Sequence, residues 1–168
     1  MKAITLWQPW ATLIAIGAKQ YETRSWATGY RGPIAIHAAK AMPPQARRLV
    51  FEEPFYSALH KAGLADIPVP GLLGVERLPQ SAIVAVTNLV DVLPICGTQG
   101  VPVAEGRFSV TPLAISAQER ALGDWTPGRY AWQLANVRRL PDPIPCKGAQ
   151  GLWTLPAEIA EQIARVAQ

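Results

Sequence analysis

Prolines and glycines, 16 and 13 of them in 168 residues, interrupt this chain so often that few elements can run far. Proline removes a backbone donor and fixes φ, while glycine weakens helix and strand interiors, so each marks a place where a regular element stops or turns. Such punctuation disfavours a helical bundle and favours a compact, β-rich body carrying a few helices. Hydrophobic residues make up 49% and charged residues 17%, which excludes a disordered or fibrous chain. One domain spanning 1–168 can bury an adequate core without disulfides or metal.

Other broad classes fall away on the same reading. The apolar run from Ala82 to Leu93 is broken by Thr87, Asn88 and Asp91, well short of the roughly 20 residues of a membrane span. The opening residues lack the apolar core and small-residue cleavage site of a secretory signal, so a cytoplasmic location is expected. Cys96 and Cys146 stand fifty positions apart with no CxxC pair and no histidine at ligand spacing, so they read as structural thiols, with no metal and no cofactor. The net charge is +4 and arginine outnumbers lysine eleven to five. Arginine suits planar contact with phosphate and stacking on bases, which permits a nucleic-acid or nucleotide partner.

Along the chain, Lys2–Leu6 is an opening strand, and Trp10, Leu13, Ile14 and Gly17 follow at the spacing of one helix face, with Gly17 as its stop. Residues 21–25 alternate as a half-exposed strand with Glu22 and Arg24 on one side. A second strand covers 33–39, a helix interrupted near Pro54 covers 43–63, and loop is expected over 64–80. A long buried strand covers 81–93, and 94–112 reads as loop. Ser116 and Glu119 stand in capping-box register ahead of a short helix ending at Gly123. Residues 129–140 form another strand, and a packing helix over 156–167 closes the chain. The sum is an α+β fold, a small antiparallel or mixed barrel of five to six strands with three or four helices around it.

Several stretches resemble the ASCH domain, a branch of the PUA-like superfamily. They are Ala3-Ile4-Thr5-Leu6-Trp7-Gln8-Pro9-Trp10, Gly17-Ala18-Lys19 with Glu22-Thr23-Arg24, Arg31-Gly32-Pro33 with Ile36-His37-Ala38-Ala39-Lys40, Gly128-Arg129-Tyr130-Ala131-Trp132, and Gln150-Gly151-Leu152-Trp153. The resemblance implies a PUA-like β-barrel with a cleft beneath the first helix that faces RNA or a nucleoside. It divides in activity: some members look like RNA-binding modules, one group hydrolyses the acetyl amide of N4-acetylcytidine, and ribonuclease action is claimed for the type. Where the amidohydrolases carry a threonine nucleophile three positions after the lysine, this chain has Glu22.

On that resemblance Lys19, Glu22 and Glu119 are the expected catalytic groups. Lys19 follows the helix stop, at a point from which its side chain can enter a cleft between the indoles of Trp7 and Trp10. Desolvation there disfavours the ammonium form and suits a general base, whereas an exposed lysine would only complement the helix dipole. Glu22 is the candidate acid or water activator, unless it and Arg24 are a plain surface ion pair. Glu119 is the second carboxylate, with Glu105 and Asp124 as competitors. Thr23, Arg24, Trp26, His37 and Arg129 join Trp7 and Trp10 as expected substrate contacts, although strand parity opposes Thr23 as a nucleophile. His37 also reads as a satisfied core residue, and with Lys40 and Arg31 beside it as a phosphate contact. No Gly-rich phosphate loop, GxSxG elbow or HExxH pair is present. The expected activity is removal of an N4-acyl group from a cytidine-type nucleoside, with a non-catalytic RNA-binding module or a metal-independent ribonuclease as alternatives, and a modified nucleoside or RNA as partner.

Overall fold

The structure is a computed structural model that describes residues 1–64, 78–97, 100–105 and 110–166. Its frame is one long antiparallel ladder between β4 (Ala82–Cys96) and β7 (Tyr130–Pro145). The pairing slips between Ile83 and Ala85, Val86 and Asn88, and Leu89 and Asp91. Slips of this kind bend a ladder and increase its twist. Around the frame, β2 (Tyr21–Arg24), β3 (Gly32–Ala38), β1 (Lys2–Leu6) and β8 (Leu152–Thr154) complete the order β2-β7-β4-β3-β1-β8. Only the β1–β3 pairing is parallel; the other pairs are antiparallel, so the sheet is mixed.

The α+β class matches the expectation, and three features differ. The barrel stays open. The sheet ends at β2 on one side and at β8 on the other, and no pairing joins these two end strands. Instead the Arg24 guanidinium crosses from β2 and donates to the Thr5 carbonyl at 3.0 Å. The segment expected as loop over 94–112 continues β4 to Cys96 and then forms the hairpin of β5 (Val101–Glu105) and β6 (Val110–Pro112). Prolines hid this hairpin, although proline is tolerated at the margin of a sheet. With β8 added, eight strands and five helices are present among the described residues. The loop expected over 64–80 falls mostly outside the described residues.

Period-two alternation sends most sheet residues into two cores, while Leu93, Ile95 and Ala131 join Trp125 in a third. Ile4, Ile34, Ile36, Leu89 and Trp132 enter one cluster, capped by Ala11, Ile14 and Ala15 of α1 (Trp10–Ala15). Ala3, Ala35, Ile83 and Val86 enter another, covered by Leu155 and by Ile163 of α5 (Ala157–Val166). The opposite side of α1 is buried as well. Leu13 packs with Ala46 of α2 (Pro44–Leu49), Phe55 and Leu59 of α3 (Phe55–Lys61), and Leu122 after α4 (Ala117–Ala121). The break near Pro54 falls between α2 and α3, as the sequence indicates.

Leu89 and Val90 are neighbours on β4 with opposite fates, Leu89 fully buried and Val90 43% exposed. Leu89→Ala should cost about 2–5 kcal/mol in urea unfolding. Val90→Ala should stay within about 0.5 kcal/mol.

Candidate active-site cleft

Helix α1 ends in hydrogen bonds that aim Lys19 inward. The amide of Gly17 donates to Ile14 O and that of Ala18 to Leu13 O, the paired closure of a glycine-terminated helix. Gly17 takes φ +75°, a conformation that costs glycine least. At the other end of α1, Gln8 is fully buried; its Oε1 accepts from the Thr12 amide and its Nε2 donates to Pro79 O. Gln8 therefore serves the helix start as a side-chain cap, a role that no standard capping signal in the sequence marks.

Lys19 emerges only 1% exposed, in ion-pair contact with Glu119 at 3.6 Å. Its Nζ has no hydrogen-bond partner among the described residues. Glu119 is already committed elsewhere: its two carboxylate oxygens accept the Gln20 and Tyr21 amides at 2.8 and 3.0 Å. The expected capping box is present on one side, with Ser116 Oγ accepting from the Glu119 amide. Its reciprocal arm is not used, because the Glu119 carboxylate turns to the start of β2.

Lys19 lies on the wall of a hollow of about 490 Å³ bounded by Trp7, Trp10, Glu22, Arg24, Gly123 and Arg129, among others. A second hollow of about 440 Å³ shares Trp7, Trp10, Glu22 and Arg24 with it and extends past Thr5 to Gln150. The two form one cleft along the gap between β1 and β2. Trp10 is a fixed wall, its Nε1 donating to Leu122 O at 2.9 Å and its ring edge-on to Phe55. Trp7 is 50% exposed at the junction of the two hollows. Gly123 leaves room for the amine, since a Cβ there would lie 3.2 Å from Lys19 Nζ.

Two arginine–carboxylate pairs flank this floor. Glu22 and Arg24 approach to 3.2 Å on β2, with the Glu22 side chain only 12% exposed. Arg129 and Asp124 approach to 3.2 Å on the other side. The Asp124 carboxyl is held below its ordinary range, chiefly by the Thr126 hydroxyl hydrogen bond, against burial, with the Thr126 amide and Arg129 adding to it.

The remaining expected residues sort themselves by partner. Thr23 borders the cleft, but its Oγ1 accepts from the Asp124 amide at 3.1 Å, a structural use. Trp26 is absent from the cleft lining; it stands edge-on to the buried Trp132 with centroids 4.7 Å apart, and its carbonyl accepts from Trp132 Nε1. The ring is partly buried against the core and lies outside the lining of the two hollows. Glu119 supports Lys19 and is likewise absent from the lining of the hollow. His37 is buried away from Lys19, its Nε2 donating to Cys146 O at 2.9 Å. It lines a neighbouring depression, not the hollow that Lys19 lines. Asp124 lines the hollow, whereas the Glu105 side chain lies outside the described residues. Leu49 and Phe55 complete the wall, residues that only the packing of α2 and α3 brings there. Among the described residues no group of three potential metal ligands occurs, and no helix is long and apolar enough to cross a membrane.

This open mixed sheet with a basic, tryptophan-lined cleft beside its first helix agrees with the sequence comparison. The ASCH domain pattern matches residues 4–144, and the chain belongs to the ASCH domain family. That family points to RNA binding or a hydrolase-type activity. No curated protein matches the chain.

The pair on the cleft floor makes an asymmetric prediction. Glu119→Ala strands a buried ammonium and two backbone amides, and should cost about 3–5 kcal/mol in urea unfolding. Lys19→Met should cost less, because Glu119 keeps both amide donors. Burial lowers the His37 pKa below its ordinary value, and the hydrogen bond to Cys146 only partly opposes this. The unfolded chain therefore takes up a proton, as pH falls below about 6.5, that the folded imidazole resists. Folding stability is whole above that pH and declines below it. Melting temperatures between pH 7.5 and 5 should show the decline in the wild type and a shallower one in His37→Gln.

Proposed function

We propose that this protein hydrolyses an N-acyl amide on the base of a cytidine-type nucleoside held in the cleft. The observation that carries the reading is the Lys19 ammonium, buried at the cleft floor with a counterion but no hydrogen-bond acceptor. Unsatisfied donors in a dry recess are costly to leave unmade, and an acyl oxygen with developing negative charge is the acceptor they suit. Pairing with Glu119 favours this donor role over that of the expected general base. Glu22, the lining carboxylate on β2, then takes the base's part.

In the reaction, water adds to the acyl carbon while Glu22 takes its proton, and the oxygen charge forms against Lys19. The carbon–nitrogen bond then breaks, and the exocyclic nitrogen receives the proton that Glu22 holds. The products are the free amine of the base and a carboxylic acid, which leaves as carboxylate after releasing its remaining proton to solvent. Trp10 supplies a fixed apolar wall, and the half-exposed Trp7 supplies a stacking face worth about 1–3 kcal/mol. The departure from a threonine at position 22 makes direct water attack the economical route, because Thr23, the remaining threonine on β2, uses its hydroxyl oxygen to hold the Asp124 amide.

The exposed Trp7 and the basic cleft also fit a non-catalytic RNA-binding module, in which Arg24 and Arg129 meet phosphate. Incubation with N4-acetylcytidine and chromatography for cytidine separates the two readings. The wild type should release cytidine and acetate. Lys19→Met and Glu22→Gln should each lose about 100-fold or more in kcat while remaining folded. A folded wild type that releases no cytidine, yet binds oligonucleotides with steep salt dependence regardless of acetylation, would select the binding module.

A further inference from the structure

The cleft does not end at Gln150. Beyond Thr5, Ala149 and Gln150 lies a third depression of about 360 Å³ that shares those three residues with it. Two exposed lysines, Lys40 from the end of β3 and Lys147 from the turn after β7, line this depression, and no carboxylate does so among the described residues. Neither ammonium has an ion-pair partner among the described residues, although most other basic side chains around the cleft do.

The turn that carries Lys147 is fastened from below. The buried His37 donates to Cys146 O, and Gly148 lies so close to the imidazole that an added Cβ would collide with the ring. One residue further, Ala149 O accepts from Thr5 Oγ1 at 2.8 Å, while the same Thr5 oxygen accepts from Trp153 Nε1. A lysine on an anchored backbone, lining the same hollow as a second lysine, loses less backbone freedom on meeting an anion than one on a loose loop.

We propose that this depression is a phosphate subsite, so that the occupant of the cleft is a nucleotide whose base lies by Lys19 and whose phosphate ester lies between Lys40 and Lys147. The inference rests on the reading of the cleft as a nucleoside site and names the class of substrate that site takes. Two sources share the chemistry, a mononucleotide and a residue within a strand.

The test compares wild type with the Lys40→Ala/Lys147→Ala double variant, neither residue belonging to the hydrolytic machinery. Cytidine, cytidine 5′- and 3′-monophosphate and a short oligocytidylate are titrated calorimetrically at low salt, and N4-acetylcytidine turnover is followed in parallel. Wild type should bind at least one phosphate-bearing ligand about 10-fold or more tightly than cytidine, as charge-assisted hydrogen bonds allow. The double variant should lose that preference while binding cytidine unchanged. A preference for the oligomer alone assigns the subsite to a strand; an equal preference for a monophosphate assigns it to mononucleotides. Equal binding of cytidine and its phosphates by wild type, or a preference that survives in the double variant, overturns the subsite. Absence of N4-acetylcytidine turnover overturns the hydrolytic reading alone, because the phosphate preference is read from binding.

Discussion

A buried ammonium–carboxylate contact, Lys19 against Glu119, is the constraint on which the working face of this protein depends. Two charges removed from water are tolerable only when each has compensation, and here the compensation is uneven. Glu119 has the Lys19 cation and two backbone amides; Lys19 has Glu119 and nothing else among the described residues. The carboxylate thereby ties the end of α1, the start of β2 and helix α4 into one junction.

The cleft itself follows from how the sheet is used up. The sheet runs from β2 to β8 without pairing these two ends, so it does not close, and a gap is left between β1 and β2. Arg24 spans that gap through the Thr5 carbonyl without filling it. The hollows lie there, with the α1 junction as floor and the turn before β8 as far wall. An apolar wall of Trp10 and Phe55 excludes water on one side, and ion pairs on β2 and around Asp124 hold charge in place on the others. This combination, dry on one face and charged on the rest, suits a planar heterocycle with a reactive polar substituent.

Fold and site also share residues in a way that limits what can vary. Thr23 joins β2 to the turn after α4 through its hydroxyl and receives Arg129 through its carbonyl, so a residue on the cleft wall is also a rivet between elements. His37 does the same on the opposite flank, holding the turn that leads into β8. Changes at either position reach the cleft through the backbone groups these side chains hold.

Local signals carried much of this. The helix stop at Gly17, the shared face of Glu22 and Arg24, the break at Pro54, the Ser116 cap and the long β4 strand are all legible, because each depends on neighbours within a few residues. Lys19, Glu22 and Trp7 at the cleft could be named from spacing and resemblance. The β5–β6 hairpin, the open edge of the barrel and the role of Gln8 could not, since they depend on partners far along the chain. The same physics separates Trp26 from Trp7: the sequence offers both as candidate stacking rings, and only packing against Trp132 draws the Trp26 ring onto the core. What the residues determined alone was the local geometry that sends Lys19 inward. Tertiary structure decided what meets it there, because a buried charge takes its meaning from groups that folding, not sequence proximity, brings within reach.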